Sequence, residues 1–267
     1  MKKKMIAVMA AAAMMVTACG SSGGTQTAET STLNKVLESG KLRVAILPDN
    51  PGWSTLGTDN DYHGIDADIA RLLAESLGVE LEFQNTDGAG RVPMIQSDKA
   101  DVVIACLTAT NERAKSVAFT DPYASGGIIG LCKSDHVLQS WDDLEGKKIS
   151  VARGSINDTF ATDNFKTAEI VRFDAIADAF TALRAGKVDV LLEDVTTVND
   201  LAASNDDVDV MPVNTQQSSY MCMAVKQGDA AWMEYLNNFI RNALYDGQIN
   251  EFYKDAFKRD MSKLMTY

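Results

Sequence analysis

The chain has 267 residues, with 25 Lys and Arg against 37 Asp and Glu, a formal charge of −12. That acidic balance excludes the basic face a general nucleic-acid binder needs against phosphate. A composition of 46% hydrophobic and 23% charged residues is that of a folding globular chain, and no apolar run reaches the roughly 20 residues of a bilayer span, so a multipass membrane protein is excluded.

Residues 1–18 read as an export signal: Lys2, Lys3 and Lys4 precede an apolar stretch at 5–18 that is too short to span. Val16-Thr17-Ala18-Cys19-Gly20 resembles the lipobox of bacterial lipoproteins. The resemblance implies cleavage before Cys19 and lipidation of its thiol, with enough acyl chains to anchor stably. Residues 19–32, rich in Ser, Gly and Thr, read as a flexible tether. Loss of residues 1–18 removes three lysines and no acids, so 22 basic and 37 acidic residues leave a charge of −15. Cys106, Cys132 and Cys222 then remain in apolar runs. An odd number forbids a complete disulfide framework, and the spacings fit no zinc motif.

From residue 41 strand and helix patterns alternate. Residues 41–46 predict a strand. Residues 68–77 predict a helix, with apolar positions at 69, 72, 73 and 77 and a stop at Gly78. A strand at 79–83 and a short helix at 92–96 follow. Residues 101–107 are a continuous apolar run of the kind a sheet covered on both faces requires. After a strand at 128–133, a second series runs strand 148–152, helix 155–165, strand 169–173, helix 175–185 and strand 188–192. A strand at 220–226 and helices at 230–246 and 249–257 complete the chain.

Repeated βαβ order predicts open, mostly parallel sheets with flanking helices, arranged as two lobes. Ser97-Asp-Lys-Ala-Asp-Val-Val-Ile104 echoes Ala185-Gly-Lys-Val-Asp-Val-Leu-Leu192, which fits two lobes of similar build. The strands at 128–133 and 220–226 bracket the second series and read as neighbouring hinge strands, which would bring Cys132 and Cys222 near each other. Lobe 1 is then 33–128 with 222–267, and lobe 2 is 129–221.

In open α/β sheets, ligands bind beyond the carboxyl ends of the strands. The run at 101–107 leads into Thr108-Ala-Thr-Asn-Glu-Arg113, where Thr110 can cap a helix. Arg113 in its first turn opposes the helix dipole. A guanidinium that clamps a ligand carboxylate explains that placement, and pairing with Glu112 or a surface aspartate is the plain alternative. The strand at 148–152 leads into Arg153-Gly154-Ser155. Gly154 permits a close backbone approach, and Ser155 opens a helix end suited to an anion while also reading as an N-cap paired with Asp158. Glu193-Asp194 closes the strand at 188–192, as an ammonium partner or as a solvated strand end. A carboxylate clamp, an anion-binding helix end and an acid together suit an α-amino acid.

Seven ordered segments carry a resemblance: Gly64-Ile-Asp-Ala-Asp68, Thr108-Ala-Thr-Asn-Glu-Arg113, Phe119-Thr-Asp-Pro-Tyr123, Asp143-Leu-Glu-Gly-Lys147, Arg153-Gly-Ser155, Asp189-Val-Leu-Leu-Glu-Asp194 and Asp246-Gly247. Over about residues 33–260 the chain resembles the family-3 extracellular solute-binding proteins, the amino-acid-binding lipoproteins of ABC importers. The resemblance implies an α/β, two-lobe periplasmic-binding fold of type II with the ligand cleft between the lobes. It also implies that Arg113, with Thr108 and the backbone at Ser155, clamps the α-carboxylate, and that Asp194 takes the α-ammonium. Trp53 falls where relatives place an aromatic wall against the ligand side chain, with core packing as its plain alternative. The loop at 86–93 lacks an aromatic that many relatives carry. Its Arg91-Val92-Pro93 resembles relatives that bind glutamate, aspartate or related polar amino acids, although Gly90 replaces their Asn. Cys106 occupies a strand end that is often Ser-rich, which leaves backbone carbonyls for ammonium contacts there.

The expectation is a monomeric receptor, lipid-anchored on the extracytoplasmic face of the membrane. It captures a polar amino acid, acidic if Arg91 meets the side chain, by hinge closure, and presents it to ABC permease subunits. No nucleic acid, metal, cofactor or catalysis is expected, since His63 and His136 stand in no nucleophile or metal constellation. Two alternatives use the same fold. One is a cyclohexadienyl- or arogenate-type dehydratase, for which Glu193 is the available acid. The other is a ligand-sensing receptor that works through a separate partner.

Overall fold

Residues 31–261 are described in a computed structural model; the export signal, Cys19 and most of the tether lie outside the described residues. The first half runs α1 (Thr32–Ser39), β1 (Lys41–Ile46), a small sheet of β2 (Asp49–Asn50), β3 (Ser54–Leu56) and β4 (Tyr62–His63), then α2 (Ile65–Leu77), β5 (Glu80–Asn85), α3 (Arg91–Gln96), β6 (Val102–Val103) and the long β7 (Ala118–Lys133). The second runs β8 (Lys148–Ala152), α4 (Ile156–Asn164), β9 (Glu169–Phe173), α5 (Ile176–Arg184), β10 (Val190–Asp194), α6 (Val195–Ala203), β11 (Val208–Val210), β12 (Gln216–Val225), α7 (Ala230–Tyr245) and α8 (Gln248–Phe257).

Among the described residues the main sheet has nine strands, in the order β5-β1-β6-β12-β7-β10-β8-β9 with β11 against β7. β5, β1 and β6 are parallel, and so are β10, β8 and β9. The antiparallel pair of β7 and β12 joins these two blocks. Each block carries its own core: Leu42, Val44, Ile69 and Leu73 pack with Trp232, Leu236 and Tyr253 of the C-terminal helices, whereas Ile149, Val151, Val190 and Leu192 pack together in the other. β10 is buried along its whole length, which is why it opens on the apolar run Val190-Leu191-Leu192 before its two closing acids. Among the described residues no helix is long and apolar enough to cross a membrane.

The internal echo has one physical cause. Asp101 Oδ2 accepts from the Arg43 N–H at 2.8 Å, and Asp189 Oδ2 accepts from the Lys148 N–H at 2.8 Å. In both lobes an acid at the start of one strand holds the first residues of its parallel neighbour.

Three expectations change. α2 begins at Ile65 and not at 68, because Ile65 and Ala67 already lie in the buried face. The run at 101–107 pairs as a strand only at Val102–Val103. Beyond it the chain leaves the ladder, and Cys106 sits at φ +45, a left-handed conformation uncommon outside glycine. Third, β7 and β12 are neighbours, but their register sets Cys222 opposite Pro122, while Cys132 lies opposite Val190 and Asp209. The two sulfurs therefore sit near opposite ends of β7, and both cysteines are free.

Candidate ligand-binding site

The carboxyl ends of β1, β6, β8 and β10 converge on one cavity. Its lining includes seven residues singled out in the sequence: Arg91, Cys106, Thr108, Arg113, Ser155, Glu193 and Asp194.

Arg113 follows Thr110, whose Oγ1 accepts from the Arg113 N–H at 3.2 Å, so the predicted cap is present over a single 3₁₀ turn. The guanidinium is half-buried and is aimed by two carbonyls. Nη1 donates to Thr108 O at 2.7 Å, and Nη2 donates to Gly154 O at 2.9 Å. The first tie is within its own lobe and the second crosses to the other. Burial, with the positive charge of Arg91 nearby, lowers its pKa to about 10, so it stays cationic at neutral pH. Gly154 itself does not line the cavity. Its φ of +69 places its Cα where an added Cβ would lie 3.0 Å from Ala89 Cα, so the close approach it permits is between the two lobes.

Ser155 is the N-cap of α4, and its Oγ accepts from the Asp158 N–H at 3.1 Å. Its own N–H donates to Ala152 O, so the Ser155 amide expected to help hold a carboxylate is engaged in a turn.

On the acidic side, Asp194 caps α6. Oδ1 accepts from the Thr196 N–H at 2.9 Å and Oδ2 accepts from the Gly127 N–H at 3.2 Å. The carboxylate reaches β7 because residue 126 is glycine: a Cβ there would stand 1.9 Å from Asp194 Oδ2. Burial raises the Asp194 pKa to about 6, against the lowering effect of these N–H donors. Beside it Glu193 is raised by burial to about 7. Cys106 lines the cavity with its thiol pushed well up by burial, and it offers its carbonyl to Arg91.

Residues 42–259 match the family model of the bacterial extracellular solute-binding proteins, family 3. The chain belongs to that family. This solute-binding protein is 28% identical to the L-cystine-binding protein TcyJ of Escherichia coli K12 over 233 residues, 86% of this chain and 88% of the relative. Among solved structures it is similar to AbpA of Streptococcus pneumoniae bound to L-arginine, with 28% identity and a TM-score of 0.81 over 86% of this chain and 100% of that one. It is also similar to AncCDT-1, an ancestral amino-acid-binding protein described as a precursor of cyclohexadienyl dehydratase, with 31% identity and a TM-score of 0.80 over 85% of this chain and 100% of that one. The two-lobe, type II periplasmic-binding fold follows from these likenesses.

Besides Gly154, a second expected site residue of this solute-binding protein is outside the cavity lining. Trp53 is fully buried, edge-on to Tyr253 and Phe257 of α8, and forms no wall of the cavity. The hairpin that carries it turns Asp49 and Asn50 to the cavity and Trp53 into the lobe core. Arg91 is in the lining, but it is already engaged. Nε donates to Gly88 O at 3.0 Å, and Nη1 donates to Ala105 O at 3.0 Å and Cys106 O at 3.1 Å. An acidic ligand would find only Nη2 uncommitted among the described residues.

Several lining residues were not singled out: Asp49, Asn50, Asn157 and Ser219. Asp49 Oδ2 accepts from the Ile176 N–H at 2.8 Å, so a residue of one lobe caps α5 of the other. A signal existed for this one. α5 opens at Ala175, whose side chain cannot cap, so the helix end needs an acceptor from elsewhere.

Proposed function

We propose that this protein is the lipid-anchored substrate-binding component of an ABC importer and that it takes a polar amino acid between its lobes. The observation that carries the reading is the pairing of Arg113 with Asp194 around one cavity, a fixed cation and a fixed anion on opposite sides of the β7/β12 junction. An α-amino acid presents the complementary carboxylate and ammonium. The relatives support it, since their names record cystine and arginine as ligands.

In this reading residues 33–128 with 222–267 close against residues 129–221 about β7 and β12. The Arg113–Gly154, Asp49–Ile176 and Ala89–Gly154 contacts hold the closed form. The protein acts as a monomer, returns its ligand chemically unchanged, and presents the closed form to the permease. Calorimetry with the twenty common amino acids tests it: saturable binding of at least one polar member is expected, and no binding of any would refute it. Cys19 carries the anchor, so Cys19→Ser is expected to move the protein from the membrane fraction to the soluble exported fraction. Unchanged membrane retention would place the anchor elsewhere.

A further inference from the structure

We propose that the amino acid held in this cavity has a positively charged side chain and that Glu193 is the counter-ion that selects it. The proposal rests on the amino-acid reading above, and it reverses the acidic preference that Arg91 implied in the sequence.

Glu193 is 6% exposed and lines the cavity. Its Oε1 accepts from Asn157 Nδ2 at 3.0 Å and from the Asp194 N–H at 2.9 Å. Its Oε2 has no hydrogen-bond partner among the described residues. Asn157 and Asn50, each 3% exposed, line the same cavity, and the Oδ1 atom of each is likewise unmet. Because Asn157 gives its amide to a carboxylate, which only accepts, its remaining cavity-side atom is an acceptor. The unmet groups are thus a carboxylate oxygen, two amide oxygens and the Ser219 hydroxyl, which brings at most one donor of its own, and buried acceptors of this kind call for donors.

Charge points the same way. Asp49, Glu193 and Asp194 line the cavity against Arg91 and Arg113, while Asp174, also in the lining, is paired with Arg153 at 2.7 Å. The α-carboxylate and α-ammonium of a ligand match Arg113 and Asp194 and cancel each other. What is left is acidic, and Arg91 has spent Nε and Nη1 on carbonyls. A carboxylate side chain would add a like charge beside empty acceptors, whereas a guanidinium or ammonium supplies both the donors and the counter-charge. The burial that raises the Glu193 pKa is the cost such a cation relieves.

The test is calorimetry at pH 7.5 with arginine, lysine, histidine, glutamine, glutamate and aspartate, on the wild type and on E193Q. The wild type is expected to bind a cationic member most tightly. E193Q keeps Oε1 for its two donors and changes only the unmet atom. It should weaken cationic ligands by about thirtyfold or more, as loss of one partner of a buried charge pair does, and leave glutamine within about threefold. Tighter wild-type binding of glutamate, aspartate or glutamine than of every cationic ligand overturns the proposal and leaves the amino-acid reading standing. Equal weakening of all ligands in E193Q also overturns it, because Glu193 would then hold the α-ammonium. Binding of none by the wild type removes the amino-acid reading itself. The wild-type order of preference decides the matter even where the variant melts lower than the wild type.

Discussion

Replacing Arg113 with alanine is expected to weaken amino-acid binding by about 2–5 kcal/mol, the usual cost of truncating one partner of a buried charge pair. The magnitude follows from how the side chain is held. Thr108 O of its own lobe orients the guanidinium before any ligand arrives, and Gly154 O of the other lobe joins it on closure. Little rotamer entropy is then left to lose on binding. Alanine would leave a ligand carboxylate facing a cavity whose remaining arginine, Arg91, has committed Nε and Nη1 to backbone. Arg113→Lys should recover little, because an ammonium cannot contact two carboxylate oxygens and two carbonyls in one plane. Titration calorimetry of both variants is the measurement. Affinity within about threefold of wild type in Arg113→Ala, under half of the 1.4 kcal/mol that a tenfold change represents, would show that the carboxylate is held elsewhere.

Much of the architecture was legible in the sequence, because parallel strands buried on both faces and helices with one apolar stripe leave unambiguous patterns. The site was legible where a chemical type was out of place for local structure. Arg113 in a first helical turn and acids at the end of a fully buried strand are examples. Trp53 shows where that reading stops. A tryptophan is equally at home in a core or against a ligand, and the choice is made by the turn between Asn50 and Ser54, which no periodicity encodes. Arg91 shows a second limit. Its type and motif were visible, but its three carbonyl partners come from residues 88, 105 and 106, and only the fold brings those around it. Asp49 is the intermediate case. The missing cap at Ala175 was visible, whereas the residue that supplies the acceptor lies 127 positions from the Ile176 N–H it meets.

Affinity is expected to rise with pH between 5 and 7.5, with protons released on binding. Asp194, ordinarily near 3.8, is raised to about 6, and Glu193, ordinarily near 4.5, to about 7, in both cases chiefly by burial. A raised carboxyl pKa means that the folded, ligand-free protein binds protons the unfolded chain has released. Through these two groups its stability therefore falls as pH rises from about 4 to about 7. A ligand ammonium against Asp194 favours the ionised form and reverses that cost, so binding drives the proton off. A group of pKa about 6 passes from roughly nine-tenths ionised at pH 7 to one-tenth at pH 5, which weakens binding about tenfold through Asp194 alone. Glu193 acts in the same direction. The number of protons released is read by repeating the calorimetry in buffers of different ionisation enthalpy. Asp194→Asn should bind more weakly at every pH and lose the Asp194 share of the slope. Its Oδ1 still caps α6 through the Thr196 N–H, since asparagine caps as well as aspartate, although the Gly127 N–H loses its acceptor. A wild-type affinity that stays flat from pH 5 to 7.5 would mean that no buried carboxyl ionises to meet the ligand. Asp194 would then act on α6 and β7 alone, as a cap and a strand tie.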